Sequence, residues 1–171
     1  QVLDELKSGR DVALVTDAGT PGVSDPGYRI VRAAQEAGFD VRVVPGACAA
    51  VAAISGSGLP TDTFTFVGFP PKKKSQRRRW LDQVATAAHA LILYAAGRDV
   101  ASLLREITRV RSDPTVVVGR ELTKVYEQWI RGKASEVADT WEADPKKGEV
   151  TIVVDRAEKL GFDDAALTEL L

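Results

Sequence analysis

Val12-Ala13-Leu14-Val15 is a continuous apolar run of strand length that stops on Asp17 and a loop rich in Gly, Thr and Pro. A run with no polar position suits a strand buried on both faces, the situation of a parallel strand. A helical stretch follows. Asp25 is placed to cap it, Pro26 to occupy its first turn, and Ile30, Val31, Ala34 and Ala37 share one face before Gly38 ends it. Val41-Arg42-Val43-Val44 reads as a second strand, and Pro45-Gly46 turns into an alanine-rich helix over about 47–55. The alternation predicts an α/β lobe with a parallel, Rossmann-like sheet. Two strands cannot bury both faces of a doubly wound sheet. Residues 2–8 resemble the end of an amphipathic helix closed by Gly9, and the chain contains no methionine. The expectation is therefore an incomplete first lobe, lacking its first strand, in a piece of a longer chain.

Gly58-Leu59-Pro60-Thr61-Asp62 reads as a connection, which places the first lobe at 1–60 and a second α/β lobe at 61–160. In the second lobe the patterns predict strands at 64–68, 90–94, 115–119, 125–130 and 149–154, and helices at 76–88, 99–109 and 134–142. The strands within 115–130 are close enough in sequence to form an antiparallel pair, so this lobe should carry a mixed sheet with helices. Residues 161–171 look like the start of a further helix, cut short. No segment repeats another.

Of the 171 residues, 44% are hydrophobic and 27% charged, enough to bury a real core. No apolar run reaches the length of a membrane span. A single cysteine, Cys48, leaves no intrachain disulfide or cysteine-based zinc site, and no His/Cys/Asp cluster suggests another metal; a reducing, cytoplasmic setting is expected. His89, the one histidine, precedes a strand and suits a surface or helix-end position better than catalysis.

The net charge of −1 makes one segment stand out: Lys72, Lys73, Lys74, Arg77, Arg78 and Arg79 place six cations within eight residues. A solvated loop and helix start, capped by Ser75, would account for them. At this density contact with the phosphates of RNA is the favoured reading. Trp80, ahead of Leu81 and Val84, belongs to a helix facing the core.

The loop from Asp17 to Ser24 lies where a parallel strand ends, the place where open α/β sheets bind ligands. Gly19 and Gly22 allow close approach of backbone to a ligand. A tight strand-to-helix turn explains the same residues equally well. Neither the phosphate-loop nor the Gly-x-Gly-x-x-Gly pattern is present, so the common nucleotide-binding readings fail.

Asp17-Ala18-Gly19-Thr20-Pro21 with Ser24-Asp25-Pro26-Gly27-Tyr28 resembles the signature of the ribosomal RNA small-subunit methyltransferase I family of the tetrapyrrole methylase superfamily. The likeness continues, in family order, through Pro45-Gly46-Ala47-Cys48-Ala49-Ala50, Gly58-Leu59-Pro60-Thr61-Asp62, Gly68-Phe69-Pro70-Pro71-Lys72, Arg120-Glu121-Leu122-Thr123-Lys124 with Glu127, and Lys147-Gly148-Glu149. The resemblance implies two α/β lobes, S-adenosyl-L-methionine as cofactor, a homodimer, and methyl transfer to the ribose 2′-oxygen of a cytidine in small-subunit ribosomal RNA. It implies a cofactor site drawn from Asp17, Ala18, Gly19, Thr20, Pro21, Cys48, Ala49, Tyr94 and Arg120. Cys48 would line that pocket as a small apolar side chain rather than act as a nucleophile. Glu121 or Lys124 would stand near the ribose hydroxyl, although an Arg–Glu ion pair at a lobe rim explains the same block. Arg98 would reach RNA phosphate or else cap a helix. Three family features differ: the N-terminal Gly-Thr-Pro-x-Gly-Asn loop and the Asp/Glu-rich segment after the family's second strand are absent, and Tyr94-Ala95-Ala96-Gly97-Arg98 stands where the family has Tyr-Glu-Ser before a basic residue. Two other functions compete. A tetrapyrrole C-methyltransferase would share the fold but carries Gly-Asp-Pro at the Asp17 loop. A non-enzymatic RNA-binding piece would need only the cation cluster.

Overall fold

A computed structural model describes residues 1–156. The chain divides into two compact units, Gln1–Ala52 and a larger one beginning at Ala53.

The first unit contains α1 (Val2–Lys7), α2 (Tyr28–Glu36) and the start of α3 (Ala49–Ser57). Neither strand expected there forms. Val15, Val43 and Val44 are 81%, 78% and 84% exposed, and no ladder joins 12–15 to 41–44 or to any other described residue. A strand exists only where a neighbour takes its backbone N–H and C=O groups, and these two runs have no such neighbour in this unit. The expected parallel sheet of the first lobe is thus absent among the described residues. The helix expected from Asp25 also begins later. Ser24 at φ 57 and Gly27 at φ 152 lie outside helical backbone, so Asp25 and Pro26 stay in the loop and Gly27 takes the cap position. A backbone φ of 152 favours glycine at Gly27, and an added Cβ, 2.9 Å from Leu14 Cδ2, would push that side chain aside.

The second unit is built on a five-stranded mixed sheet in the order β1-β2-β5-β3-β4. Its strands are β1 (Phe64–Gly68), β2 (Ala90–Ala96), β3 (Thr115–Arg120), β4 (Gln128–Lys133) and β5 (Glu149–Val154). β1 and β2 are parallel, joined through α4 (Lys74–Val84); β5 runs antiparallel to both β2 and β3, and β3–β4 is the expected antiparallel pair. β4 starts three residues later than the apolar pattern indicated, because Val125 and Tyr126 sit exposed in the connecting loop. α5 (Val100–Arg111) and α6 (Ala134–Ala143) complete the unit. Residues 161–171, expected to begin a helix, lie outside the described residues.

Alternation sorts the sheet's side chains. Leu91, Leu93, Val116, Val118, Ile152 and Val154 face one way, into a core with Leu81 of α4, Val100, Leu103, Leu104 and Ile107 of α5, and Val137, Ala138 and Trp141 of α6. The α5 spacing of i, i+3, i+4 and i+7 makes the helical stripe that this core requires. Ile92, Val117 and Val153 face the other way and are equally buried. On that opposite face Arg131, paired with Val117, donates to Gly56 O at 2.7 Å, and Trp129 packs against Gly56. These contacts fasten the end of α3 to β4. Trp80 packs against the core cluster, as its spacing indicated. Ser75 is the second residue of α4 and makes no cap; Lys73 precedes the helix without a side-chain hydrogen bond. α6 is capped from a distance: the Asp113 carboxylate accepts from Ser135 N and Ser135 Oγ, both at 2.8 Å. No helix among the described residues is long and apolar enough to cross a membrane.

Candidate functional site

Strand directions decide which side chains meet. The carboxyl ends of β1, β2 and β3 and the amino end of β5 lie along one edge of the sheet: Arg120 pairs with Val150, and Ala96 with Glu149. This edge collects the segments that follow those strands, Phe69-Pro70, Gly97-Arg98 and Arg120 to Lys124, together with Lys147 to Glu149. Open α/β sheets bind ligands beyond the carboxyl ends of their parallel strands, which here are β1 and β2.

Arg120 donates from Nε to Lys147 O at 2.7 Å and from Nη1 to Tyr126 O and Gln128 Oε1, each at 3.1 Å. It ties three backbone segments of the edge together. The next residue, Glu121, adopts φ 49. Its N–H donates to Glu149 O at 2.9 Å, and its carboxylate accepts from Glu149 N at 2.7 Å. Lys124 Nζ bridges Glu149 Oε2 at 2.8 Å and Glu121 Oε1 at 3.4 Å. Glu127 accepts from Thr123 N and Trp129 Nε1, closing the loop from its far side. The Glu149 amide holds Glu121 below the usual carboxylate range, with the Lys124 ammonium helping. The Glu149 carboxylate raises Lys124 above the ordinary lysine value. Both stay charged near neutrality. Neither is tuned toward proton exchange, which calls for a pKa near the working pH.

Stability should follow from this in acid. A carboxyl whose folded value is lowered contributes stability that is present above its ordinary value and lost as pH falls through the folded one. Asp113 and Glu127 are lowered too, by backbone amides of Ser135 and Thr123. Urea unfolding followed by tryptophan fluorescence should show the midpoint falling as pH drops below 4.5, the ordinary Glu value. Glu121→Gln should fall less steeply over that window; an identical slope would remove Glu121 from the network.

β2 presents Tyr94 toward this edge. Its ring meets Phe66 edge-on at 4.8 Å between centroids and Phe69 at 5.4 Å. Arg98 is 82% exposed, 3.9 Å from Asp99.

In the first unit the Asp17 loop and the Pro45 turn meet. Thr20 Oγ1 donates to Ala47 O at 3.0 Å, beside Cys48 and Ala49. Gly19 at φ 72 and Gly22 at φ 81 carry the loop, and a Cβ on Gly19 would stand 4.0 Å from Ala47 O. Asp17, Ala18 and Gly19 are exposed, Thr20 and Pro21 partly covered.

The cation cluster does not act as one. Arg77 makes a two-pronged pair with Glu106 of α5, 2.7 Å and 3.0 Å, with both side chains mostly covered. Glu106 holds Arg77 above its ordinary value. That arginine stitches α4 to α5. Lys74, Arg78 and Arg79 line an open groove of about 620 Å³ together with Arg109 of α5. Lys72 and Lys73 are exposed beside it. Arg109 escaped the sequence reading because nothing in its local pattern reports proximity to α4. The role of Glu149 was missed for a similar reason: a turn accounts for Lys147-Gly148-Glu149 until β5 is paired. Arg77 could have been set apart, since it shares the i, i+4, i+7 face of Leu81 and Val84.

The family model for tetrapyrrole (corrin/porphyrin) methylases matches residues 1–138. Among curated relatives, the ribosomal RNA small subunit methyltransferase I of Micromonospora olivasterospora is 40% identical across the whole chain, which spans 56% of that relative. The proteins of the same name from Hydrogenobaculum sp. and Thermotoga maritima are 36% and 37% identical over 94% and 92% of the chain, and 70% and 71% of their own length is matched. The chain thus spans only about half the length of the first of these relatives. Among solved structures, a cobalt precorrin-4 methyltransferase matches 90% of the chain and 67% of its own, with a TM-score of 0.64 at 18% identity. The uroporphyrin-III C-methyl transferase of Thermus thermophilus, complexed with S-adenyl homocysteine, matches 79% and 62% with a TM-score of 0.54 at 20% identity. These two structures share the fold. On the family match and the sequence likeness together, the chain belongs to the tetrapyrrole methylase family, on its ribosomal RNA small subunit methyltransferase I branch.

Proposed function

We propose that this protein serves S-adenosyl-L-methionine-dependent methylation of a ribose 2′-oxygen on a cytidine of small-subunit ribosomal RNA. The observation that carries the reading is the 36–41% identity to methyltransferases of that name over nine-tenths or more of the chain. The solved C-methyltransferases of the same fold reach only 18–20%. The cations in the groove of α4 and α5 suit the phosphates of an RNA substrate. A cytoplasmic homodimer is part of the same proposal.

The first unit's residues fit the cofactor. The exposed residues Ala18 and Gly19 and the Asp17 carboxylate suit a nucleoside bearing ammonium, carboxylate and sulfonium groups. Small side chains at Ala18, Ala47, Cys48 and Ala49 leave room for it. When bound, the cofactor supplies a methyl group already activated toward an oxygen nucleophile. The chain's own contribution is alignment and charge. Arg120, Glu121 and Lys124 form a locked edge that positions substrate, with Lys124 as a fixed cation. A carboxylate bonded by a backbone amide and a lysine is a poor proton acceptor, so Glu121 shapes the loop rather than deprotonating the hydroxyl. Tyr94 and Arg98 border the same edge, and Arg98 is exposed enough to meet phosphate.

The test supplies methyl-labelled S-adenosyl-L-methionine with small ribosomal subunits in one reaction and a uroporphyrinogen in another. Label is expected in the RNA, on a ribose oxygen. Label on the porphyrinoid would overturn the reading in favour of the C-methyltransferase branch. Salt-dependent RNA binding without any transfer would favour a role in RNA binding alone.

A further inference from the structure

The connection leaving β1 holds an aromatic ring in water. Gly68 ends the strand at φ +67, a conformation suited to glycine, and the β1–β2 register shifts there. Phe69 comes next, at 60% exposure. Pro70 and Pro71 then restrict the backbone beyond it. The ring is braced: Tyr94 stands 5.4 Å away at 60°, and Phe66 fixes Tyr94 in turn. An aromatic side chain exposed, yet held in place by its neighbours, has the form of a contact surface prepared in advance.

The neighbouring charges indicate the chemistry of its partner. Lys72, Lys73 and Lys74 come directly after the two prolines, and Arg78, Arg79 and Arg109 extend the positive charge along the groove. Two carboxylates also line the groove, Glu106, which is paired with Arg77, and Asp82, against the four cations Lys74, Arg78, Arg79 and Arg109. A positively charged track beginning three residues from an exposed ring is the combination that holds single-stranded nucleic acid: the cations take phosphates and the ring takes a base. A duplex keeps its base faces covered, so the ring would serve only where a nucleotide is unpaired.

We propose that Phe69 is a stacking platform for an unpaired nucleobase of the RNA strand whose phosphates follow the α4–α5 groove. The inference rests on the RNA reading above and adds the state of the strand at this point. It also gives the sheet edge a means of presenting a ribose, because a splayed-out nucleotide held by its base exposes its sugar.

The experiment measures binding of the full chain to a labelled, unstructured oligoribonucleotide of about 12 nucleotides. The same strand in a duplex and a strand of equal length with abasic sites are the comparisons. Wild type should prefer the single strand to the duplex. Phe69→Leu should weaken single-strand binding roughly 5- to 100-fold without changing the slope of affinity against salt, and Phe69→Trp should retain it. On the abasic strand Phe69→Leu and wild type should be equal. Joint reversal of Arg78 and Arg79 to Glu should flatten the salt slope. Equal binding of Phe69→Leu and wild type to the base-bearing strand would overturn the platform and leave the phosphate groove standing. A wild type with no salt-dependent RNA binding would overturn both. A change of oligomeric state in Phe69→Leu would assign the ring to a second copy of the chain instead.

Discussion

Gly97→Ala should destabilise the sheet unit by about 3 kcal/mol, read as a lowered urea midpoint in tryptophan fluorescence. A Cβ at this position would lie 2.1 Å from Lys146 O and 3.0 Å from the carbonyl carbons of Lys146 and Lys147. The obstacle is backbone, so no side-chain rotation relieves it. Gly97 cannot step aside either: its N–H donates to Gly148 O at 2.8 Å, and its carbonyl accepts from Trp141 Nε1 at 2.8 Å. Moving it forfeits two hydrogen bonds, the one to Trp141 buried, each worth about 1 kcal/mol. The clash sits next to Lys147, whose carbonyl anchors Arg120, so the variant should also disturb the edge on which Glu121 and Lys124 are set. A loss under about 1 kcal/mol would mean that the 146–148 turn yields freely.

Arg111→Ala should lower stability by a similar amount, about 3 kcal/mol, by a different route. Arg111 is 7% exposed at the end of α5. Its guanidinium donates to Asp155 O and Ala87 O, each at 2.7 Å, and more weakly to His89 O at 3.4 Å. Those carbonyls lie before β2 and after β5, which run antiparallel, so one side chain gathers the two strands at the same end of their ladder. Burial pulls its pKa below the ordinary arginine value, opposed in part by Asp155. Its Nε has no hydrogen-bond partner among the described residues, a sign that carbonyl capping rather than full satisfaction decided the geometry. Truncation removes the donor from all three carbonyls and takes the side chain out of a small apolar pocket that it lines with Leu81, Leu91 and Val154. Arg111→Lys should recover part of the loss, since an ammonium serves fewer of these carbonyls. Faster hydrogen exchange at Leu91 and Val154, which face each other in register, would locate the damage. Exchange confined to α5 would place the arginine's role in the helix alone.

Legibility in the sequence depended on how local the cause is. The buried strands β2, β3 and β5 and the helices α5 and α6 announce themselves, because their apolar patterns carry the period of the element. Val12 to Val15 carry the same signal and form no strand. A strand is a relation between segments, and composition describes only one partner. Asp25-Pro26 looks like a helix start until the backbone angles of Ser24 and Gly27 intervene. The site divides the same way. The Asp17 loop and the Arg120 block could be read as patterns in family order. The bond from Thr20 to Ala47, the grip of Glu149 on Glu121 and Lys124, and the presence of Arg109 in the cation groove all depend on distant segments meeting. Arg77 lies between these cases. Its helical phase against Leu81 could have told it from Arg78 and Arg79, while its partner Glu106 lies 29 residues away.

The sheet order has a consequence for the timing of its own assembly. β5 sits between β2 and β3, yet it is the last of the five to be synthesised. Until Glu149–Val154 emerges, the β1–β2 and β3–β4 pairs share no ladder, and the edges of β2 and β3 stay open. The two half-sheets can therefore be joined only once the last strand is made. A chain broken off before that keystone would leave the borders of β2 and β3 unpaired, and open strand edges invite pairing with other chains.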